Sequence, residues 1–260
     1  IIVLGYFALV LIGAFVLMLP ISSQARQMTS FLDALFTSAS ATCVTGLVVF
    51  DTATYWSLFG QIVLLILIQI GGLGFITMAL AFATLSKKRI GLKSRFVMQE
   101  SIAAPQMGGI IRLTRFVFTT TLIVESLGAV LLSVRFVPIF GFFRGIWYGI
   151  FHSITAFCNA GFDLMGGYSG PFSSLTAFAD DPLVNFTIMG LIVFSGLGFF
   201  VWEDMWHHRH DTHHFSLQTK VVLLVTVVLV FVPAAMMFLF QGGMLSFRLH
   251  PLTQAMAALF

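Results

Sequence analysis

The segment Thr42-Cys43-Val44-Thr45-Gly46-Leu47 recurs in altered form 115 residues later, and that recurrence constrains the fold more than any other feature of the chain. The offset sets FTSASATCVTGL at 36–47 over FHSITAFCNAGF at 151–162, so that Phe36 meets Phe151, Ser38 meets Ser153, Ala41 meets Ala156, Cys43 meets Cys158 and Gly46 meets Gly161. GGLGF at 71–75 then matches SGLGF at 195–199, an offset of 124 because the second connection is longer. A repeat on this scale means that one supersecondary unit is used more than once.

Each copy lies between long apolar runs. Ile1–Ala25, Thr52–Ser86, Pro182–Trp202 and Val221–Phe247 carry no charged residue, and Phe116–Val134 carries only Glu125. Each is long enough to approach or exceed the ~20 helical residues that cross a hydrocarbon core. Charged residues make up 9% of the chain and hydrophobic ones 58%, against about 25% charged in soluble domains, which excludes an ordinary water-soluble protein. Five spans and no soluble domain is the first expectation. Runs of Leu, Ile, Val and Phe rather than short alternating segments make the spans helical, not strands of a barrel.

The repeated segment itself does not read as a span. Ser30–Val49 is apolar but short, and rich in Ser, Thr and Gly. Ser30 with Asp33 forms a capping-box-like start, and a helix is expected from Phe31 to Ala39. Thr42 to Gly46 follow, β-branched residues and a glycine that disfavour helix. Non-helical backbone at membrane depth is tolerated only where protein buries it or where it lines an aqueous cavity. A short helix followed by an extended Thr/Gly stretch, entering and leaving on one side, is a re-entrant pore loop.

The expected fold is therefore an all-α membrane protein of span, re-entrant pore loop, span units arrayed around a pore axis. The boundaries read as repeat 1 at 1–86, a connector at 87–112, repeat 2 at 113–206, a His-rich loop at 207–216 and the start of a third repeat at 217–260. Pro251–Phe260 resembles the start of the first pore helix, and aligning Phe260 with Phe36 puts a third filter glycine ten residues further on. The chain begins with Ile inside an apolar run and reads as trimmed at its start; no basic segment or cleavage site marks a signal peptide.

Charge orients the chain. Lys87, Lys88, Arg89, Lys93, Arg95, Arg112 and Arg115 crowd between the second and third spans with only Glu100 opposing them. By the positive-inside rule that connector is cytoplasmic, the two loops flanking it are external, and the amino terminus is cytoplasmic. The net charge of +3 is gathered beside a span and does not point to nucleic acid. Cys43 and Cys158 are too few for a disulfide framework and lie in no metal-ligand spacing.

A dehydrated cation needs oxygen ligands, and rings of backbone carbonyls replace its water shell in potassium filters. Glycines at 46 and 161 permit the backbone turns such a ring requires, and neither loop contains an acid, which favours carbonyl over carboxylate coordination. The pore helices enter from outside and point the negative ends of their dipoles at the ion. Two loops cannot enclose an ion, whereas four can.

These residues resemble the KtrB/TrkH/HKT superfamily of cation transporters, most of all its bacterial KtrB branch. The resemblance rests on TCVTGL followed by Phe50-Asp51-Thr52, on GGLGF, on RIGLKSRFVMQESI at 89–102, on FCNAGF, and on SLQTKVVL at 216–223, found together in this order. It implies four repeats around a pseudo-fourfold pore, of which this chain holds two and the start of a third. It implies a potassium filter lined by Thr42, Cys43, Val44, Thr45 and Gly46 and by Phe157, Cys158, Asn159, Ala160 and Gly161. In the family, glycine at the Gly46 position goes with potassium preference, and serine there with sodium in some plant members. The resemblance further implies potassium as the only cofactor, uptake across the bacterial plasma membrane, a homodimer, and a cytosolic nucleotide-binding regulatory ring of the KtrA/TrkA kind. The family's gating loop and a pore-facing arginine belong to its third and fourth repeats and match no residue here.

Other residues carry competing readings. Glu125, mid-span, either binds the permeating ion or holds a pore loop through backbone N–H groups, and the second is favoured. Asp33 reads as a helix cap rather than a cation-concentrating group at the mouth. The Gly71-Gly72 and Gly196-Gly198 clusters read as close helix packing. His207, His208, His210, His213 and His214, with Glu203, Asp204 and Asp211, could form a metal or proton sensor, but read more simply as a polar connector; no HExxH pattern supports a metalloprotease. An intramembrane enzyme has only Glu125 and His152 to draw on. A secondary transporter of another small solute, built on broken helices, expects charged partners at the midplane that the loops lack.

Overall fold

The computed structural model describes residues 2–74, 110–208 and 215–241. Its elements are helices: α1 (Ile2–Met18), α2 (Phe31–Thr42), the short α3 (Thr52–Tyr55), α4 (Leu58–Leu73), α5 (Ile110–Phe140), α6 (Phe142–Phe157), the short α7 (Gly166–Ser169), α8 (Pro182–Gly196), α9 (Phe199–His207) and α10 (Leu217–Gln241). Among the described residues no strand forms; a single isolated bridge joins Ser23 and Trp56. Most of the basic connector with its RIGLKSRFVMQESI segment, the end of the second span, most of the His-rich loop and Pro251–Phe260 lie outside the described residues; the connector's last residues, 110–112, begin α5.

Local chemistry sets the helix ends. Ser30 caps α2 by accepting the Asp33 N–H at 3.2 Å, while its hydroxyl donates to Asp33 Oδ2 at 2.7 Å, and Ser57 caps α4 through Gly60 N–H. Asp181 accepts the Leu183 and Val184 N–H groups at the start of α8, and Pro182 takes the first helical position, where its missing N–H is not needed. Helix α2 outruns the sequence expectation by three residues. Its last turns are buried on both sides by neighbours, and that packing overrides the weak propensity of Ser40 and Thr42.

The units share one plan. Helix α2 packs against α1 and α4, α6 packs against α5 and α8, and α4 touches α6. Ser38 Oγ donates to Val10 O at 2.8 Å, and 115 residues later Ser153 Oγ donates to Glu125 O at 2.7 Å. A Cβ added to Gly13 would meet Ser38 Oγ and Leu67; one added to Gly128 would meet Ser153 Oγ and Leu191. The core joining the units includes Leu17, Leu64, Ile68, Leu132, Phe136, Phe151 and Leu164.

The spans differ from a uniform set of five. Leu113–Phe140 and Leu217–Met237 are long and apolar enough to cross a membrane, and Val3–Met18 and Leu58–Leu73 are shorter apolar helices. The fourth expected span is broken: α8 and α9 meet at 88°. Gly198 makes the break with φ +84°, and Trp202 Nε1–H donates to Phe194 O at 2.9 Å, satisfying a carbonyl near the end of α8. Leu224 and Leu229 on α10 are 66% and 65% exposed, a surface suited to lipid. The chain is an all-α, multi-pass membrane protein.

Candidate functional site

The segments after α2 and α6 are held by the same hydrogen bonds. Cys43 N–H donates to Ala39 O, Val44 N–H to Ala41 O and Thr45 N–H to Ser40 O; Cys158, Asn159 and Ala160 donate to Ile154, Ala156 and Thr155. Val44 (φ +57°) and Gly46 (φ +81°) enter the left-handed region, and so do Asn159 (φ +56°) and Gly161 (φ +68°). A β-branched residue in that region stores about 1–3 kcal/mol of strain, which persists only where surrounding structure over-determines the backbone. At Val44 the three bonds to the end of α2 supply that constraint.

The structure brings the two segments together at their glycines. A Cβ on Gly46 would sit 2.8 Å from Ala160 O and 3.4 Å from Gly161 Cα. Helix α4 closes on both: Gly71 lies against the Thr42 carbonyl group and Gly72 against Cys158 Sγ. The close-packing reading therefore holds for Gly71 and Gly72. At Gly196 and Gly198 a Cβ would meet nothing within 4 Å among the described residues, and Gly198 marks the helix break. Gly74 and Gly198 are aligned and share φ +84°, each at a helix end; the copies differ in what lies opposite Gly72 and Gly196 among the described residues.

Both α2 and α6 end at these segments, so their negative dipole ends face them, and no acidic side chain lies within either. Cys43 is exposed and Cys158 buried, its thiol 3.7 Å from Gln69 Oε1. Among the described residues the buried hydroxyls of Ser40 and Thr42 have no hydrogen-bond partner.

Glu125 behaves differently from the expectation of backbone N–H partners. Its carboxylate accepts from Gln69 Nε2 at 2.9 and 3.2 Å, so that α5 of the second unit is tied to α4 of the first. With the Cys158 contact this makes a part-buried polar chain from Glu125 through Gln69 to the second segment. Removing the carboxylate strands the Gln69 amide in an apolar setting. We expect Glu125→Ala to lower stability by about 1–2 kcal/mol and Glu125→Gln, which keeps an acceptor, by less than half of that. Thermal unfolding in detergent reads the difference, and equal melting of Glu125→Ala and native protein would exclude a holding role.

Asp33 sits at the far end of α2 from the loop, in the cap already described. Three residues named in the sequence have holding roles that the sequence did not indicate. Buried Asp51 accepts Thr54 N–H through Oδ1 and Phe172 N–H through Oδ2, at 2.9 and 3.0 Å, spanning the two units above their loops. Asn159 Nδ2 donates to Ser195 Oγ at 3.0 Å, and His152 Nε2 accepts Leu164 N–H at 3.2 Å. Asn159 was expected in the filter, His152 as a lone ionisable group in the spans, and Asp51 only as the acid ahead of Thr52. Burial pushes the Asp163 carboxyl above the ordinary aspartate range against the pull of its Met165 N–H bond, with the Asp51 carboxylate adding to the rise.

The described part of the His-rich loop behaves as a connector. Asp204 accepts His208 Nδ1–H and Ser216 N–H, both at 2.9 Å, and the Thr219 hydroxyl, fastening α9 to α10. Among the described residues no three His, Cys, Asp or Glu side chains gather as metal ligands; His210, Asp211, His213 and His214 lie outside them.

Residues 2–254 match the TrkH family model, described as cation transport protein. The chain is 41% identical to the potassium/sodium uptake protein NtpJ of Enterococcus hirae over 225 residues, 86% of this chain and 48% of that protein. It is 43% identical to the Ktr system potassium uptake protein B of Bacillus subtilis over 226 residues, 87% of this chain and 49% of that one. The protein of the same description from Vibrio alginolyticus is 38% identical over 242 residues, 93% of this chain and 51% of that one. The chain spans about half the length of these curated relatives.

Proposed function

The chain belongs to the TrkH family of cation transport proteins, and from that premise we propose that it forms part of the pore of a Ktr/Trk-type potassium uptake system in the bacterial plasma membrane. The observation that carries this is the meeting of two alike, acid-free turns at Gly46 and Gly161, each at the carboxyl end of a helix. In this reading the two segments are re-entrant pore loops. The backbone carbonyls of Thr42–Gly46 and Phe157–Gly161 replace the water of a potassium ion, and the dipoles of α2 and α6 favour it. Two further copies complete a pseudo-fourfold ring.

Glycine at 46 favours potassium over sodium in this assignment. The basic connector and the amino terminus face the cytoplasm, and the whole protein acts as a homodimer on a nucleotide-binding regulatory ring. The relatives' descriptions as Ktr system proteins support the existence of such partners. Rubidium and sodium influx into liposomes holding the whole protein tests the reading. The expected result is rubidium and potassium entry well above sodium entry; absence of alkali-cation flux in correctly inserted protein would overturn it.

A further inference from the structure

His152 lies on α6, 2% exposed, and both of its ring nitrogens are used. Nδ1 stands 2.7 Å from Tyr148 O, and Nε2 accepts the Leu164 N–H at 3.2 Å. An acceptor at Nε2 requires the proton on Nδ1, so the ring is the neutral tautomer that donates to Tyr148 and receives from Leu164. Phe136, Tyr148 and Phe151 surround it, with ring centroids 5.6, 6.3 and 6.0 Å away. The ring therefore straps the chain just beyond Gly161 back onto the helix that delivers it.

The first loop has no such strap. Thr37 stands at the equivalent position and spends its hydroxyl on Asp33 O at 2.8 Å, the bond that corresponds to His152 with Tyr148. It has no second polar atom to reach the segment after Gly46. On the other side of Gly161, Asn159 is fixed to Ser195, whereas Val44 and Gly71 at the matching places of the first loop cannot make a side-chain hydrogen bond. The second glycine turn is thus fastened on both flanks by side chains, and the first by backbone packing.

We infer that His152 is a positioning residue for ion discrimination: through Leu164 N–H it fixes the backbone that leads out of Gly161, and with it the carbonyls the second loop presents. The inference rests on the ion-filter reading of the loops. The experiment compares potassium and sodium influx into liposomes for the whole native protein and three variants. His152→Gln keeps an acceptor at the reach of Nε2. His152→Asn keeps the donor toward Tyr148 O but stops short of Leu164, and His152→Leu offers neither. The potassium-to-sodium ratio is expected to stay within about twofold of native in His152→Gln and to fall about tenfold in His152→Asn and His152→Leu, the scale of one buried hydrogen bond. If His152→Leu does not insert, His152→Asn carries the test. A native ratio in His152→Asn, or an equal loss of both fluxes, overturns the positioning role while leaving the filter reading in place. A native protein that moves neither cation overturns the filter reading and this inference with it.

Discussion

Gly46→Ala is expected to remove nearly all potassium-selective uptake. At φ +81° an L-residue pays about 1–2 kcal/mol for the left-handed backbone alone. Its methyl carbon would also stand 2.8 Å from Ala160 O and 3.4 Å from Gly161 Cα, both backbone atoms that cannot swing aside. Overpacking of this kind costs a further 1–3 kcal/mol or so. Together the two come to about 3 kcal/mol, roughly a hundredfold in the balance between the intact and the displaced loop. Gly161→Ala should be milder, because its methyl carbon meets only Gly46 Cα, at 3.3 Å, and its φ is +68°. Uptake in liposomes or in cells lacking other potassium uptake systems ranks the two. Native rate and native ion preference in Gly46→Ala would refute the placement of this residue at the ion path.

Gly71→Ala should be the most destabilising glycine-to-alanine substitution on α4. The added carbon would overlap the Thr42 carbonyl oxygen and come to 2.8 Å from Thr42 C, so α4 must withdraw from the end of α2 or the loop must shift. We expect a loss of about 3 kcal/mol, at the upper end for an overpacked site. Gly72→Ala meets Cys158 Sγ at 2.6 Å and Cβ at 2.7 Å, a side chain with some freedom, and should lose less. Gly190→Ala is the control: among the described residues that helical glycine has nothing within 4 Å, and alanine there gains about 0.5–1 kcal/mol of helix propensity. Melting temperatures in detergent should therefore run Gly190→Ala, Gly72→Ala, Gly71→Ala from high to low. A Gly71→Ala protein as stable as the control would mean that α4 does not press on the loop.

Much of the fold was legible because its determinants are local or periodic. Apolar runs marked the helices, Ser30 and Asp33 marked the start of α2, and the 115-residue offset paired Cys43 with Cys158 and Gly46 with Gly161. The positive φ angles of both glycines follow from the same local fact, that glycine lacks a Cβ. Glu125 was recognised as a residue that holds something, since a lone acid in an apolar helix needs a partner.

What it holds was decided by tertiary structure. Gln69 lies 56 residues from Glu125, and Asp51 lies 121 residues from Phe172, separations across which no periodicity pairs side chains. His152 and Thr37 are aligned residues with the same bond to the preceding turn, yet only the imidazole has a second nitrogen to spend on the loop. The glycine motif shows the division most plainly. By itself the sequence determined that 71–74 and 195–198 are alike, down to the shared φ of +84° at Gly74 and Gly198; only the packing decided that Gly72 presses on a loop while the aligned Gly196 meets nothing within 4 Å among the described residues, because a missing Cβ is neutral until something stands opposite it.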